Sequence, residues 1–111
     1  MLIDLGRLGE YITILLYKFM FYRVIAYRMR NYCGEIDLIC KRFNQLLFIE
    51  VKTRSGNFNI DNPCNPKQIE RIKRAAELFL TKNTKFFGCN IRFDLVIIRA
   101  NRFPKIIKNA W

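Results

Sequence analysis

The sequence predicts a single α/β domain over residues 1–111, a mixed sheet flanked by helices in the order α-β-β-β-α-β. Three observations predict it. Apolar residues recur at three- and four-residue steps over residues 3–20. Three β-rich runs then follow one another between residues 22 and 53, separated only by short turns. A helix with its own start signal precedes one more β-rich run at 91–99. A chain of 111 residues, half of them hydrophobic, is long enough to bury one core.

In the first helix, Leu5, Leu8, Ile12, Leu15, Leu16 and Phe19 form the stripe expected to face the core. Glu10 lies nearly opposite, on a face shared with Ile14 and Tyr17, so the helix is expected to be covered on two sides. Residues 22–30 are aromatic and β-branched at their start and read as the first strand. Asn31-Tyr32-Cys33-Gly34 supplies a turn. The second strand, 35–41, is expected to alternate Ile36, Leu38 and Cys40 against Glu35, Asp37 and Ile39. Phe43-Asn44-Gln45 makes a hairpin turn into the third strand, 46–53. There Leu47, Ile49 and Val51 share one face, and Phe48, Glu50 and Lys52 the other. The polar stretch 54–65 reads as a long loop, a kind more often functional than accidental. Asn65 suits an N-cap, Pro66 the first turn and Gln68 the capping-box position of a helix running to Lys82. Its buried face would be Ile69, Ile72, Ala76 and Phe79. The crossover helix returns the fourth strand, 91–99, parallel to the third. Residues 104–111 close the chain as an edge strand or a turn.

The formal charge of +11 favours anionic partners, nucleic acid first and an anionic membrane surface second. The chain has no histidine, which excludes histidine general bases, Ser-His-Asp triads and histidine metal sites. Ser55 is the only serine. Cys33, Cys40, Cys64 and Cys89 form no C-x-x-C pair, which argues against a zinc or dithiol site. Asp4 and Arg7 interrupt the N-terminal apolar residues, so no signal peptide is expected, and the reading is a cytoplasmic protein with reduced thiols. The charge-free run from Tyr11 to Tyr17 is too short to span a bilayer. A membrane-surface role for residues 15–30 is the weakest of the functional readings, since that stretch reads as helix end plus buried strand.

Charge inside the two central strands carries the chemistry. Glu50 and Lys52, two apart, leave the third strand by the same face, and hairpin pairing brings Asp37 alongside. Two carboxylates converging from neighbouring strands repel each other unless a cation lies between them. An oxygen-lined site of this kind suits Mg²⁺ or Mn²⁺. Such an ion lowers the pKa of a bound water and neutralises charge on a phosphodiester, while Lys52 orients the water or stabilises the pentacovalent phosphorus. The competing interpretation is a solvated strand face making ordinary surface pairs, worth about 0–1 kcal/mol each.

Asp37 followed by Glu50-Val51-Lys52 resembles the D…(D/E)-x-K core of the PD-(D/E)XK nuclease superfamily, the restriction-endonuclease-like fold. More closely, Gly34-Glu35-Ile36-Asp37-Leu38-Ile39 with Phe48-Ile49-Glu50-Val51-Lys52-Thr53-Arg54 resembles the YraN family of small bacterial proteins. Gly6-x-x-Gly9-Glu10, Lys67-Gln68, Arg92-Phe93-Asp94-Leu95-Val96 and the closing Lys108-Asn109-Ala110-Trp111 extend the likeness over nearly the whole chain. Three positions depart from the family pattern. Thr13 stands where a small residue is usual, a helix-ending glycine is missing near Met20-Phe21, and an asparagine of the first strand is replaced around Tyr27-Arg28.

The resemblance implies Asp37 and Glu50 as metal ligands, the Val51 carbonyl as a third, and Lys52 as the catalytic lysine. Glu10 matches the first-helix glutamate that joins the site in Holliday-junction-resolvase-like members; otherwise it is a helix-surface acid. Glu35 either supports the metal shell or makes a turn-side salt bridge. Gln68 either bonds a phosphate or only caps its helix. Lys67, Arg71 and Arg74 either contact the DNA backbone or form a solvated basic face, and Arg54 is the better phosphate candidate. Asp94 is assigned a structural role, paired with Arg92 or Arg99. The implied activity is hydrolysis of DNA phosphodiester bonds with Mg²⁺ or Mn²⁺. The alternative is a nucleic-acid-binding protein of the same fold without turnover, with Phe21, Tyr22, Tyr27 and Tyr32 available for stacking. Nucleases of this fold often dimerise, which leaves a homodimer open.

Overall fold

A computed structural model describes residues 5–54 and 64–111. The elements are α1 (Leu5–Phe19), β1 (Arg23–Asn31), β2 (Gly34–Arg42), β3 (Gln45–Arg54), α2 (Pro66–Lys82), β4 (Asn90–Arg99) and β5 (Lys105–Ile107). The predicted order holds, with the chain end resolved as the short strand β5. The sheet runs β1-β2-β3-β4-β5. The two hairpin pairs are antiparallel, β3 and β4 are parallel, and β5 returns antiparallel on β4. The loop expected at 54–65 lies, from 55 to 63, outside the described residues.

Local chemistry sets the turns. The Asn31 side chain accepts the backbone N–H groups of Cys33 and Gly34 at 3.0 and 3.2 Å, closing the β1–β2 hairpin as an Asx turn. Asn65 accepts the Gln68 N–H at 2.8 Å and caps α2, with Pro66 opening the helix, as the sequence predicts.

Alternation along β3 divides the core in two. Leu46 and Phe48 join Ile72, Ala75, Ala76 and Phe79 of α2, whereas Leu47 and Ile49 join Tyr17 of α1 with Val96 and Ile98 of β4. The helices therefore cover opposite faces of the sheet, and each buried Leu, Ile or Phe adds about 1.5–3 kcal/mol. The buried face of α2 includes Ala75, while Ile69 is only half-buried. In β2 the expected alternation fails at Ile36, which packs with Ile39 on the α2 side while Leu38 and Cys40 pack toward α1.

The orientation of α1 corrects the sequence reading. Its buried residues are Gly9, Thr13 and Tyr17, while Leu5, Leu8, Leu15 and Phe19 of the expected core stripe are exposed, Phe19 at 84%. The reason is close approach. A Cβ on Gly9 would stand 2.6 Å from the Thr53 hydroxyl and 3.3 Å from Ile98, so this helix meets the sheet backbone-first. Thr13 returns its hydroxyl to the Gly9 carbonyl at 2.8 Å, and the Tyr17 hydroxyl donates to buried Asp94 at 2.8 Å. Small and hydrogen-bonding groups make this contact, so hydrophobic periodicity points to the wrong face.

Two departures from the family pattern fall on left-handed backbone. Phe21, just past α1, has φ 70° and Arg28, within β1, has φ 53°. Glycine and asparagine are the residues that adopt this conformation most readily.

Candidate metal and phosphodiester site

The site forms where β2 and β3 part. Their pairing runs from Arg42↔Gln45 to Leu38↔Ile49 and goes no further. One residue beyond, the Asp37 carboxylate replaces the backbone ladder and accepts the Val51 N–H at 2.8 Å. An extended residue sends its N–H and C=O out by the same edge, so the Val51 carbonyl opens on the same gap. Glu50 is 8% exposed, with the Lys52 ammonium 4.0 Å from its carboxylate. Burial, then the hydrogen bond and negative charge of Asp37, push the Glu50 carboxyl up to about 9, against the opposing pull of Lys52. A cation at this gap would supply the stabilisation that a proton on Glu50 otherwise gives. Two carboxylates, a carbonyl and room for water make a hard-oxygen donor set of the kind Mg²⁺ or Mn²⁺ prefers.

Asp37 and Glu50 line two clefts at once. The first runs under α1 and also holds Glu10, Lys52, Arg54 and Arg99. The second runs toward the start of α2 and holds Glu35, Asn65, Gln68 and Arg71. Of the residues singled out from the sequence, Asp37, Glu50, Val51, Lys52, Arg54 and Glu10 therefore share one cleft, and Glu35, Gln68 and Arg71 reach the same carboxylates from the other.

Several of these side chains are engaged elsewhere. Glu10 receives the Arg28 guanidinium at 2.9 Å and the Tyr27 hydroxyl at 2.8 Å. Glu35 makes the turn-side bridge to Arg30 at 3.2 Å. Among the described residues no three acidic or cysteine side chains gather as a metal cluster. Lys67, Arg71 and Arg74 are exposed on α2, with Arg74 bonded to Glu70 at 2.6 Å. The Gln68 backbone serves the helix cap, which leaves its side chain on the cleft wall. Tyr22 is buried beneath the Arg42 guanidinium, 4.2 Å from its ring centre, and Tyr27 holds Glu10, so only Phe21 and Tyr32 of the expected stacking aromatics are freely exposed. Asp94 is fully buried, held by both arms of Arg92 at 2.8 and 2.9 Å. Arg99 makes no such bond and turns to the cleft. The sequence offers no signal for it there, because its pairing with Arg54 follows from the register of β3 and β4.

The sequence model of Uncharacterised protein family UPF0102 matches residues 9–98, which contain all of these side chains except Arg99. The chain belongs to the UPF0102 family. A UPF0102 protein of Ehrlichia ruminantium (strain Gardel) is 42% identical over 107 residues, covering 96% of this chain and 83% of the relative. The UPF0102 protein of Ehrlichia chaffeensis is 40% identical over 106 residues, covering 96% and 85%. That of Parvibaculum lavamentivorans is 36% identical over 107 residues, covering 96% and 80%. The YraN-like resemblance read from the two central strands is thereby borne out at the level of the UPF0102 family. Among the described residues no helix is long and apolar enough to cross a membrane.

Proposed function

We propose that this UPF0102 protein is a metal-dependent nuclease that hydrolyses DNA phosphodiester bonds. The observation that carries the reading is the parting of β2 from β3, which sets the Asp37 carboxylate against Val51 beside buried Glu50. Asp37, Glu50 and the Val51 carbonyl would hold Mg²⁺ or Mn²⁺, which supplies a more acidic water and charge neutralisation on the phosphodiester. Lys52 sits where it can orient the water and offset charge on phosphorus. Glu10 borders the cleft and holds Arg28 and Tyr27 in place, while Arg54, Lys67, Gln68, Arg71 and Arg74 are the candidate backbone contacts. Incubation with duplex, single-stranded and junction DNAs plus Mg²⁺ or Mn²⁺ tests this, with Asp37→Ala prepared identically as the control for contaminating nuclease. Cleavage by the wild type alone is the expected result. Folded wild type that cuts none of these substrates sinks the reading.

A second reading, nucleic-acid binding without turnover, is favoured by one observation: Glu10 is engaged by Arg28 and Tyr27, so the described carboxylates at the gap number two. Lys52→Ala separates the two, because it removes turnover in a nuclease and changes little in a binding module.

The partner we propose besides nucleic acid is a second copy of this chain, in the cytoplasm. Leu5, Leu8, Leu15 and Phe19 are exposed along α1, with Leu8 and Leu15 seven residues apart and Phe19 four further on, the spacing of a two-helix seam, while Ile12 between them is half-buried against the sheet. A helix carrying the same seam is its natural complement, and two copies would meet symmetrically.

A further inference from the structure

We propose that Arg54 and Arg99 form a clamp for one backbone phosphate, next to the carboxylate site at the carboxyl ends of β3 and β4; as a nucleic-acid contact it rests on the proposed function above. The two arginines are the last register pair of the parallel strands β3 and β4. Paired residues of adjacent strands point to the same face, so Arg54 continues the row Glu50, Lys52, Arg54, and Arg99 stands beside it. Both line the cleft that contains Asp37, Glu50 and Lys52. They lie at the carboxyl ends of parallel strands, where open α/β sheets bind ligands.

Like charges set opposite each other on neighbouring strands are destabilising, and something must offset them. Among the described residues no carboxylate in this cleft does. Glu10 is taken by Arg28, Glu50 faces Lys52, and Asp37 accepts the Val51 N–H. Among the described residues neither arginine forms an ion pair. Arg54 gives one N–H to the Thr53 carbonyl at 3.0 Å, and the Arg99 Nε is buried with no acceptor. A buried donor without a partner is costly, and a guanidinium is planar and forked. A phosphodiester oxygen pair meets both requirements, since it accepts bidentate hydrogen bonds and neutralises the repulsion. The clamp positions the strand; it does no bond-breaking. Among the described residues Asp37 and Glu50 are the only ones common to the two clefts, so a strand held by Arg54 and Arg99 passes Lys52, crosses the carboxylates and leaves toward Gln68 and Arg71.

The test uses the full chain in EDTA, so that cleavage does not interfere. Binding of labelled duplex and junction DNA is titrated against salt for wild type, Arg99→Gln, Arg99→Lys, Arg54→Gln and the double glutamine variant. Arg99→Gln should weaken binding about tenfold and lower the slope of log affinity against log salt by about one. Arg99→Lys should recover only part, because the fork is lost. The double variant should lose less than the sum of the single losses, since both arginines hold one phosphate. Melting without ligand supplies a readout that a merely structural arginine would not give: Arg99→Gln should melt no lower than wild type, as removing it relieves repulsion. Inorganic phosphate should raise the melting temperature of wild type but not of Arg99→Gln. Unchanged affinity and salt slope in Arg99→Gln, or equal stabilisation of both proteins by phosphate, overturns the clamp. Wild type that binds no DNA yet is stabilised by phosphate through Arg99 overturns the nucleic-acid reading and leaves the anion site standing.

Discussion

Glu50 is the residue at which burial and charge meet most sharply. Its carboxyl is raised from 4.5 to about 9, first by desolvation and then by Asp37. Between those values the folded chain holds a proton that the unfolded chain has released, so stability must fall as pH rises through this window. In EDTA, the urea midpoint should decline from pH 5 to pH 9, and Glu50→Gln should remove most of that decline; a Glu50→Gln protein with the wild-type slope would refute the assignment. Phe21 illustrates a different residue-scale cost. It is 86% exposed and sits at φ 70°, so its ring has little packing to lose while its backbone is strained. Phe21→Gly should stabilise the protein by about 1 kcal/mol, read from denaturant titration. The motif residues Asp37, Glu50 and Lys52 were legible in the sequence because charges within apolar runs demand an explanation. Arg99 was not, because an arginine ending a strand looks like any solvated end until its neighbour across the sheet is known.

At the scale of elements, α1 departs furthest from its sequence pattern. Its most apolar side faces outward and its contact with the sheet runs through Gly9, Thr13 and Tyr17. The contact depends on closeness, so Gly9→Ala should cost about 1–3 kcal/mol in urea denaturation, with Thr53 and Ile98 forced aside. A loss near zero would mean that the helix can retreat from the sheet freely. Tyr17 and Asp94 tie the same helix to β4, and Arg92 completes the neutralisation of that buried acid. By contrast α2 follows its sequence closely, from Asn65 and Pro66 to Ile72, Ala76 and Phe79, with only Ile69 less buried than expected and Ala75 more so. Caps and a greasy stripe are local properties, whereas a backbone-first docking is a property of two surfaces. The strand β2 lies between these cases: its existence was legible, but the place where it leaves β3 was not, and that parting creates the gap at Asp37.

For the whole molecule, the charge of +11 sets two opposing salt dependences. Nucleic-acid affinity should fall steeply with salt as counterion release weakens. Self-association through α1 should strengthen, because salt screens repulsion between two cationic copies. Sedimentation at 50 and 500 mM salt, with Leu15→Glu as the disrupted seam, distinguishes the second effect: the wild-type dimer fraction should rise with salt while the variant stays monomeric. A monomer at both salts would remove the dimer proposal without touching the site.

The sequence by itself determined the α/β class, the element order, the parallel return of β4 and the motif that marks the UPF0102 family. These follow from side-chain period, caps and turn residues, which act over a few positions. Only the tertiary structure decided which side of α1 is buried, that Glu10 is held by Arg28 and Tyr27, and that Arg54 and Arg99 stand together. Those are pairings between residues far apart in the chain, fixed by register and close approach, and no local pattern encodes them.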